Sequence, residues 1–426
     1  MRRMENLINT IQLLAKPYHS PEHAAEVIKA ASSAKFVLLG EASHGTSEYY
    51  RDRAALSKRL VTEHGFRLIA VEGDWPSCYT LNRYVKGYDD AGTNVREALR
   101  DFGRWPSWMW ANREIIEFAE WLRQYNASKP EEEKVGFYGI DLYSLWESMD
   151  EIITYLEAKP GAESDLIAAK QAFECFEPHD RDGQRYGVSA SLYGEGCTDE
   201  IVELLRKLQH KWKTQGPHVD REDALSLEMN ALAVIGAEAY YRTMIQHDAE
   251  SWNVRDRHMV EALEKLMDYY GDGSRAVVWE HNTHIGDARY TDMAEDGMVN
   301  VGQLLREKYG VDDVYAIGYG TYEGTVIAGR SWGSREQVMK VPPAIPNSWE
   351  ELLHRAGPED KLILFDASTA ILDEITLGHR AIGVVYHPER ERGNYVPSVM
   401  SKRYDAFIYF DRTHGLSPIS NEIVYS

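Results

Sequence analysis

Phe36-Val37-Leu38-Leu39-Gly40-Glu41-Ala42-Ser43-His44-Gly45 is an unbroken apolar run that ends in glycine, acid and histidine. Four apolar residues without polar alternation, bounded by turn formers, read as a strand buried on both faces, which belongs in a parallel sheet. Arg67–Val71, Lys134–Ile140 and Arg275–Trp279 have the same form. Amphipathic helical patterns lie around them: Tyr49–His64 after the first run, Ile115–Gln124 before the third and Leu145–Leu156 after it. The fold class that follows is α/β, a parallel sheet core flanked by helices.

Length and composition set the frame. The chain has 426 residues, and length alone suggests roughly three domain-sized units. Apolar periodicity is helical over Glu200–Trp212, Glu222–Gln246 and Arg257–Tyr269, predicting an inserted helical subdomain. A polar, glycine-rich break at Glu177–Cys197 predicts a loop or lid, with Tyr186 and Tyr193 facing a ligand. Val314–Gly320 and Thr325–Gly329 read as a β-hairpin, and Leu362–Phe365, Ala381–Tyr386 and Ala406–Phe410 as further strands, some antiparallel. The expected division is 1–160, an α/β portion with the catalytic motifs; 161–270, mainly helical; and 271–426, an α/β portion that completes the site.

Lysine plus arginine is 47 and aspartate plus glutamate is 68, giving 47 − 68 = −21. A chain this acidic repels nucleic acid and anionic membrane, so neither is an expected partner. Arg2 and Arg3 are followed by Glu5, Asn6, Asn9, Thr10 and Gln12, too polar for a signal peptide. No apolar run reaches the roughly 18 residues a membrane helix needs. Cys78, Cys175 and Cys197 show no CxxC spacing and make no disulfide framework, which points to a reduced, cytoplasmic setting.

Each of the four strongest strands delivers an acid at its carboxyl edge: Glu41, with His44 behind it; Glu72; Asp141; and Glu280, with His281 and His284. Ligands of open α/β sheets bind outside the carboxyl ends of the strands. If the four strands are parallel, Glu41, His44, Glu72, Asp141, His281 and His284 converge on one pocket. Taken singly, each has a plainer reading: Glu41 or His44 at a helix start, Glu72 in an ion pair, the later histidines at the surface. GxSxG, the phosphate-binding GxxxxGK[ST], a strand-linked GxGxxG and HExxH are all absent, so a serine elbow, a nucleotide enzyme and a zincin are not indicated.

The stretch Gly40–Glu48 resembles the leading motif of the erythromycin esterase family, whose members are often labelled succinoglycan biosynthesis proteins. The resemblance continues through Ala70-Val71-Glu72-Gly73-Asp74-Trp75, Pro106–Trp110, Tyr138–Asp141, Arg255-Asp256-Arg257, Trp279–Asp287 and Gly383–Tyr386, in order and over nearly the whole chain. It implies an α/β fold with a helical subdomain, and a metal-independent, cofactor-free hydrolase that cleaves a small-molecule ester or lactone with activated water. It implies His44 as general base, with Glu41, Glu72, Arg53, His281 and His284 as catalytic partners. Asp74, Trp75, Trp108, Asp141, Glu280 and Arg257 fall in the same motifs and are assigned to substrate contact.

The chemistry is consistent with those residue types. Imidazole titrates near working pH and suits a general base. Glu41 or Glu72 can hold one His44 nitrogen, Arg53 can stabilise an oxyanion or neutralise a carboxylate, and His281 or His284 can donate to the oxyanion or leaving group. Trp105, Trp108 and Trp110 either line a cleft for a bulky substrate or pack the interior. So many acids in one place call for positive partners. Arginines can supply them; so can a divalent cation on Glu41, Glu72, His44, His281 and His284, which makes a metal-dependent hydrolase the alternative. A non-catalytic ligand-binding protein is the other.

Overall fold

In the computed structural model, which describes residues 2–19, 24–194, 197–214, 221–245 and 248–419, all four side chains of Phe36–Leu39 are buried. The strands are β1 (Lys16–Pro17), β2 (Phe36–Leu39), β3 (Leu68–Asp74), β4 (Gly136–Asp141), β5 (Ala276–Trp279), β6 (Val314–Ala328), β7 (Gln337–Val341), β8 (Lys361–Leu364), β9 (Leu377–Arg380), β10 (Tyr395–Ser398) and β11 (Ala406–Thr413). The chain forms two compact units: Met1–Ala70, Leu81–Phe137 and Gly273–Ser426 make the first, Val71–Thr80 and Tyr138–Asp272 the second.

The first unit is built on a sheet of order β1-β8-β11-β6-β2-β5-β3-β4, with β7 on β6; β3 and β4 begin there and run on into the second unit. β2 lies parallel to both β5 and β6, with Leu39 opposite Trp279 and Ile317. Chain order reverses at β2, because β3 and β4 come next in sequence while β5 returns to β2's side and β6 takes the other. That reversal is a topological switch point, where open α/β sheets place ligands. β8 pairs antiparallel with β11, and β9 and β10 form a separate antiparallel ribbon, so the α/β class with added antiparallel strands holds.

The helix Ser47–His64 covers the sheet with a stripe of Tyr49, Tyr50, Arg53, Leu56, Ser57, Leu60 and Val61, the three- and four-residue steps of a buried face. Gly65 ends it in the left-handed conformation (φ 69°), its N–H returned to Leu60 and Val61 carbonyls.

Three local expectations are corrected. β6 is one fifteen-residue strand, not a hairpin: Thr321, Glu323 and Gly324 stay extended because they continue the parallel ladder with β11, and the antiparallel partner is β7. Ala381–Tyr386 makes only isolated bridges, Ser43–Ile382 and Gly329–Val385; the strand lies just before it, at β9. Within Glu177–Cys197 a helix, Gly183–Tyr193, is capped by the Asp182 side chain. Its packing positions Gly183 and Gly187 let Tyr241 approach so closely that a Cβ on Gly183 would lie 2.2 Å from the ring, which hides the helix from apolar periodicity. Tyr186 is fully buried and donates to Glu238; the side chain of Tyr193 lies outside the described residues.

The second unit packs the helices Leu145–Ala158, Glu163–Phe173, Gly183–Tyr193, Thr198–Thr214, Arg221–Thr243 and Asp248–Tyr270 around Trp146, Met149, Ile152, Phe176, Leu205 and Val234. A disulfide joins Cys175 to Cys197 across 22 residues, leaving Cys78 as a free buried thiol. One bridge thus forms where spacing alone had suggested none. Among the described residues no helix is long and apolar enough to cross a membrane.

Candidate active site

The carboxyl ends of β2 and β5 are held side by side by the parallel register and then by their own continuations. Gly40 N–H donates to the Ile317 carbonyl, Glu280 N–H to Leu39 and Asn282 N–H to Glu41. The two glycines that bracket the first motif are sterically required. A Cβ on Gly40 would sit 2.1 Å from Asn282 Oδ1, and one on Gly45 would sit 1.9 Å from the Ile327 carbonyl oxygen.

This loop turns Glu41 inward, 2% exposed, between an imidazole and a guanidinium. Glu41 Oε1 lies 2.9 Å from His44 Nδ1, and Oε2 accepts from Arg53 Nη2 at 2.7 Å. The first contact fixes the neutral His44 tautomer: Nδ1–H donates to the carboxylate, and the lone pair is on Nε2. Arg53 is completely buried, its guanidinium over the rings of Tyr50 at 4.4 Å and Trp279 at 4.9 Å. Arg53 is thereby the counter-ion of Glu41.

His281 caps the short helix Asn282–Ile285. Its Nδ1 accepts from Thr283 N–H at 3.3 Å and lies 2.8 Å from Thr283 Oγ1. In the neutral ring the proton is therefore on Nε2, the complement of His44. The two imidazoles are 4.9 Å apart, centroid to centroid. His284 is buried on the same turn, and Glu280 is sealed from solvent. Ser43 is buried with its hydroxyl paired to Thr46, an arrangement without a base for a nucleophilic serine.

Arg255 binds two further strand-end carboxylates. Arg255 donates to Asp141 from Nε at 2.9 Å and from Nη2 at 2.6 Å, and to Glu72 Oε1 from Nη2 at 2.7 Å. Burial raises the Asp141 carboxyl, but the charge and hydrogen bonds of Arg255 outweigh it and hold the group below its usual value. Burial pushes the neighbouring His258 down to about 4, so it is a neutral core ring. Asp74 is half-buried on the end of β3.

Three residues assigned to substrate contact are placed otherwise. Arg257 is exposed, and Arg255, two residues earlier, takes the carboxylates. Trp75 is 1% exposed and stacks on Tyr138 (5.6 Å, 7°), and Trp108 is likewise 1% exposed. Both rings are interior packing, as large apolar side chains tend to be. Trp110 is buried against Tyr50 and Phe137, while Trp105 packs edge-on to the exposed Trp332.

Carboxylate with imidazole is also the start of many metal sites. In the first unit Glu41 and His44 fit that donor chemistry, but Arg53 on the second Glu41 oxygen already supplies the charge a cation would bring.

Comparison with known proteins identifies this architecture. The family model for erythromycin esterase matches residues 61–413. The chain belongs to the erythromycin esterase family. Erythromycin esterase type II of Escherichia coli is 29% identical over 367 residues, covering 79% of this chain and 82% of its own. A crystal structure of a succinoglycan biosynthesis protein aligns with TM-score 0.77 at 20% identity, covering 98% of this chain and 99% of that one. An erythromycin esterase mutant, EreC, in its open conformation aligns with TM-score 0.64 at 18% identity, over 91% and 93% of the two chains. Membership supports a hydrolase of esterase type with a small-molecule substrate; the solved structures share the fold.

Proposed function

We propose that this erythromycin esterase family member hydrolyses a carboxylic ester or lactone by water that His44 activates. The observation that carries the reading is the Glu41 carboxylate shared between His44 Nδ1 and Arg53, with the His281 ring 4.9 Å from His44. In the proposed reaction a water gives its proton to His44 Nε2 as its oxygen attacks the acyl carbon. Glu41 stabilises the imidazolium that forms, without itself taking a proton. His281, with its proton on Nε2, donates to the developing oxyanion. The tetrahedral intermediate then collapses, the acyl–oxygen bond breaks and the alkoxide takes the proton from His44. Arg255 holds Glu72 and Asp141 as a fixed pair of anions.

The test is turnover of an ester panel, from small acyl esters to macrolactones including erythromycin, by wild type and His44→Ala purified in chelator. Removing a general base should cost roughly 10²–10⁴-fold. Activity that needs added metal would overturn the metal-free mechanism. Equal turnover by the two proteins would remove His44 from it. Tight binding of a panel member without turnover, unchanged in His44→Ala, would favour a ligand-binding protein.

A further inference from the structure

Behind the Glu41–His44 pair the first unit contains a second buried glutamate–histidine pair. Glu350, on the helix Trp349–Arg355, is fully buried, and its Oε1 lies 2.7 Å from Nδ1 of His379 on β9, which is 1% exposed. The other ring nitrogen, Nε2, lies 3.1 Å from Asn282 Nδ2, and Asn282 is fully buried as well. Such a set has no route to substrate.

The proton positions in this chain are fixed by backbone groups that have no choice. Asn282 Nδ2 donates to the Tyr319 carbonyl at 2.7 Å, and Asn282 Oδ1 accepts from Tyr319 N–H at 3.2 Å, which settles the orientation of the amide. Its second Nδ2 hydrogen then points to His379 Nε2, which must offer a lone pair. The His379 proton is therefore on Nδ1 and is donated to Glu350, whose Oε1 also accepts from Arg380 N–H at 2.9 Å. Burial lowers the proton affinity of His379, in keeping with a neutral ring between Tyr404 and Phe407, with Arg380 and Arg403 opposing a further positive charge.

Asn282 is where this chain meets the proposed chemistry. It follows His281, its N–H donates to the Glu41 carbonyl at 2.9 Å, and its carbonyl accepts from Arg403 Nη2 at 3.0 Å. We propose that Glu350, His379 and Asn282 form a sealed positioning relay that sets the His281-bearing turn against the Glu41–His44 loop. The inference rests on the reading of His44 and His281 as the acid–base pair. The three residues touch no substrate; they act by holding two reacting groups at their spacing, and misplacement of about 1 Å at such groups can cost 10²-fold.

Two substitutions at one position separate this role from general structural support. In His379→Gln the side-chain amide falls near Nε2, keeping an acceptor for Asn282 and giving up the Glu350 contact. In His379→Asn it falls near Nδ1, keeping a donor for Glu350 and leaving an Asn282 N–H unsatisfied. Each loses one buried contact, so a merely structural role predicts equal effects. Because Glu350 acts only by fixing the His379 tautomer, and a glutamine amide carries its acceptor without that help, the relay predicts that His379→Asn loses roughly 10- to 100-fold in kcat with KM unchanged, while His379→Gln stays within about 3-fold of wild type. The companion readout needs no substrate: ring nitrogen NMR signals of His281 should shift in His379→Asn and hold in His379→Gln. Equal kcat values and equal His281 spectra in the two variants would overturn the relay. If His44→Ala retains full activity the reading of the site fails, whereas a dead His44→Ala beside indistinguishable His379 variants fails the relay alone.

Discussion

Replacing Arg53 with methionine tests whether the site is held together by a buried ion pair. Arg53 is completely buried and Glu41 is 2% exposed, with 2.7 Å between them. Removing one member of a buried pair leaves the other charge unsolvated, at a cost of about 3–5 kcal/mol. Loss of the guanidinium from the faces of Tyr50 and Trp279 adds about 1 kcal/mol, while methionine keeps much of the packing volume. Because the damage comes from the stranded carboxylate, Glu41→Gln added to Arg53→Met should recover about 2 kcal/mol. Native-state hydrogen exchange of the Phe36–Leu39 amides is the suitable assay, since it reads local opening in the first unit and does not require the two units to unfold together. The destabilisation should persist in high salt, because a buried pair is poorly screened. A cost below about 1 kcal/mol, or a double variant no more stable than Arg53→Met, would refute the counter-ion assignment.

Three further perturbations follow from the same geometry. Burial pushes the Asp52 carboxyl up to about 6 from its usual 3.8, against hydrogen bonds from Tyr319 and Tyr18. A raised folded value gives stability that is complete below about pH 4 and lost as pH rises through about 6, a swing on the order of 3 kcal/mol; Asp52→Asn should flatten that slope in unfolding curves at pH 4 and pH 7, and an unchanged slope would rule Asp52 out as its source. Asp141 is displaced the other way, so its stabilisation by Arg255 is present above the usual carboxylate value and lost only at lower pH. Arg255→Gln should forfeit about 3 kcal/mol at neutral pH and start acid unfolding of the second unit earlier, as read by circular dichroism; an unmoved acid transition would count against it. Trp108→Ala should cost about 3–5 kcal/mol in stability while changing KM equally for small and large esters, and selective loss of the large ones would return the ring to the substrate.

What was legible in the chain is what local pattern records. The four buried strands announced themselves by unbroken apolar runs, and their acid and histidine ends by adjacency to those runs. Arg255 was legible too, in the helix period: it shares a stripe with Met259, Leu263 and Leu266, which are buried, whereas Arg257 shares one with Glu261, Glu264 and Asp268. Spacing misled where a long strand imitates a turn, as at Gly320–Gly324, because pairing with β11 and not the local residues keeps that segment extended. The relay had no local signal at all. Glu350, His379 and Asn282 are contributed by separate elements, and only the folded sheet brings them within hydrogen-bond reach.

The placement of charge explains how so many acids share the ends of one set of strands. Glu41 is answered by Arg53 from the helix that follows it, while Glu72 and Asp141 are answered together by Arg255 from a helix more than a hundred residues further on. Each of these carboxylates thus has a guanidinium partner, Arg255 serving two of them, and guanidinium is the side chain that stays charged whatever the local field. The consequence falls on His44. With Arg53 bound to one oxygen of Glu41, the other orients His44 through Nδ1. A lysine in place of Arg53 would keep the charge but lose the flat cation that lies against Tyr50 and Trp279, and a site that tolerated it fully would show that charge alone, rather than the fixed direction of the Arg53–Glu41 contact, keeps His44 in line.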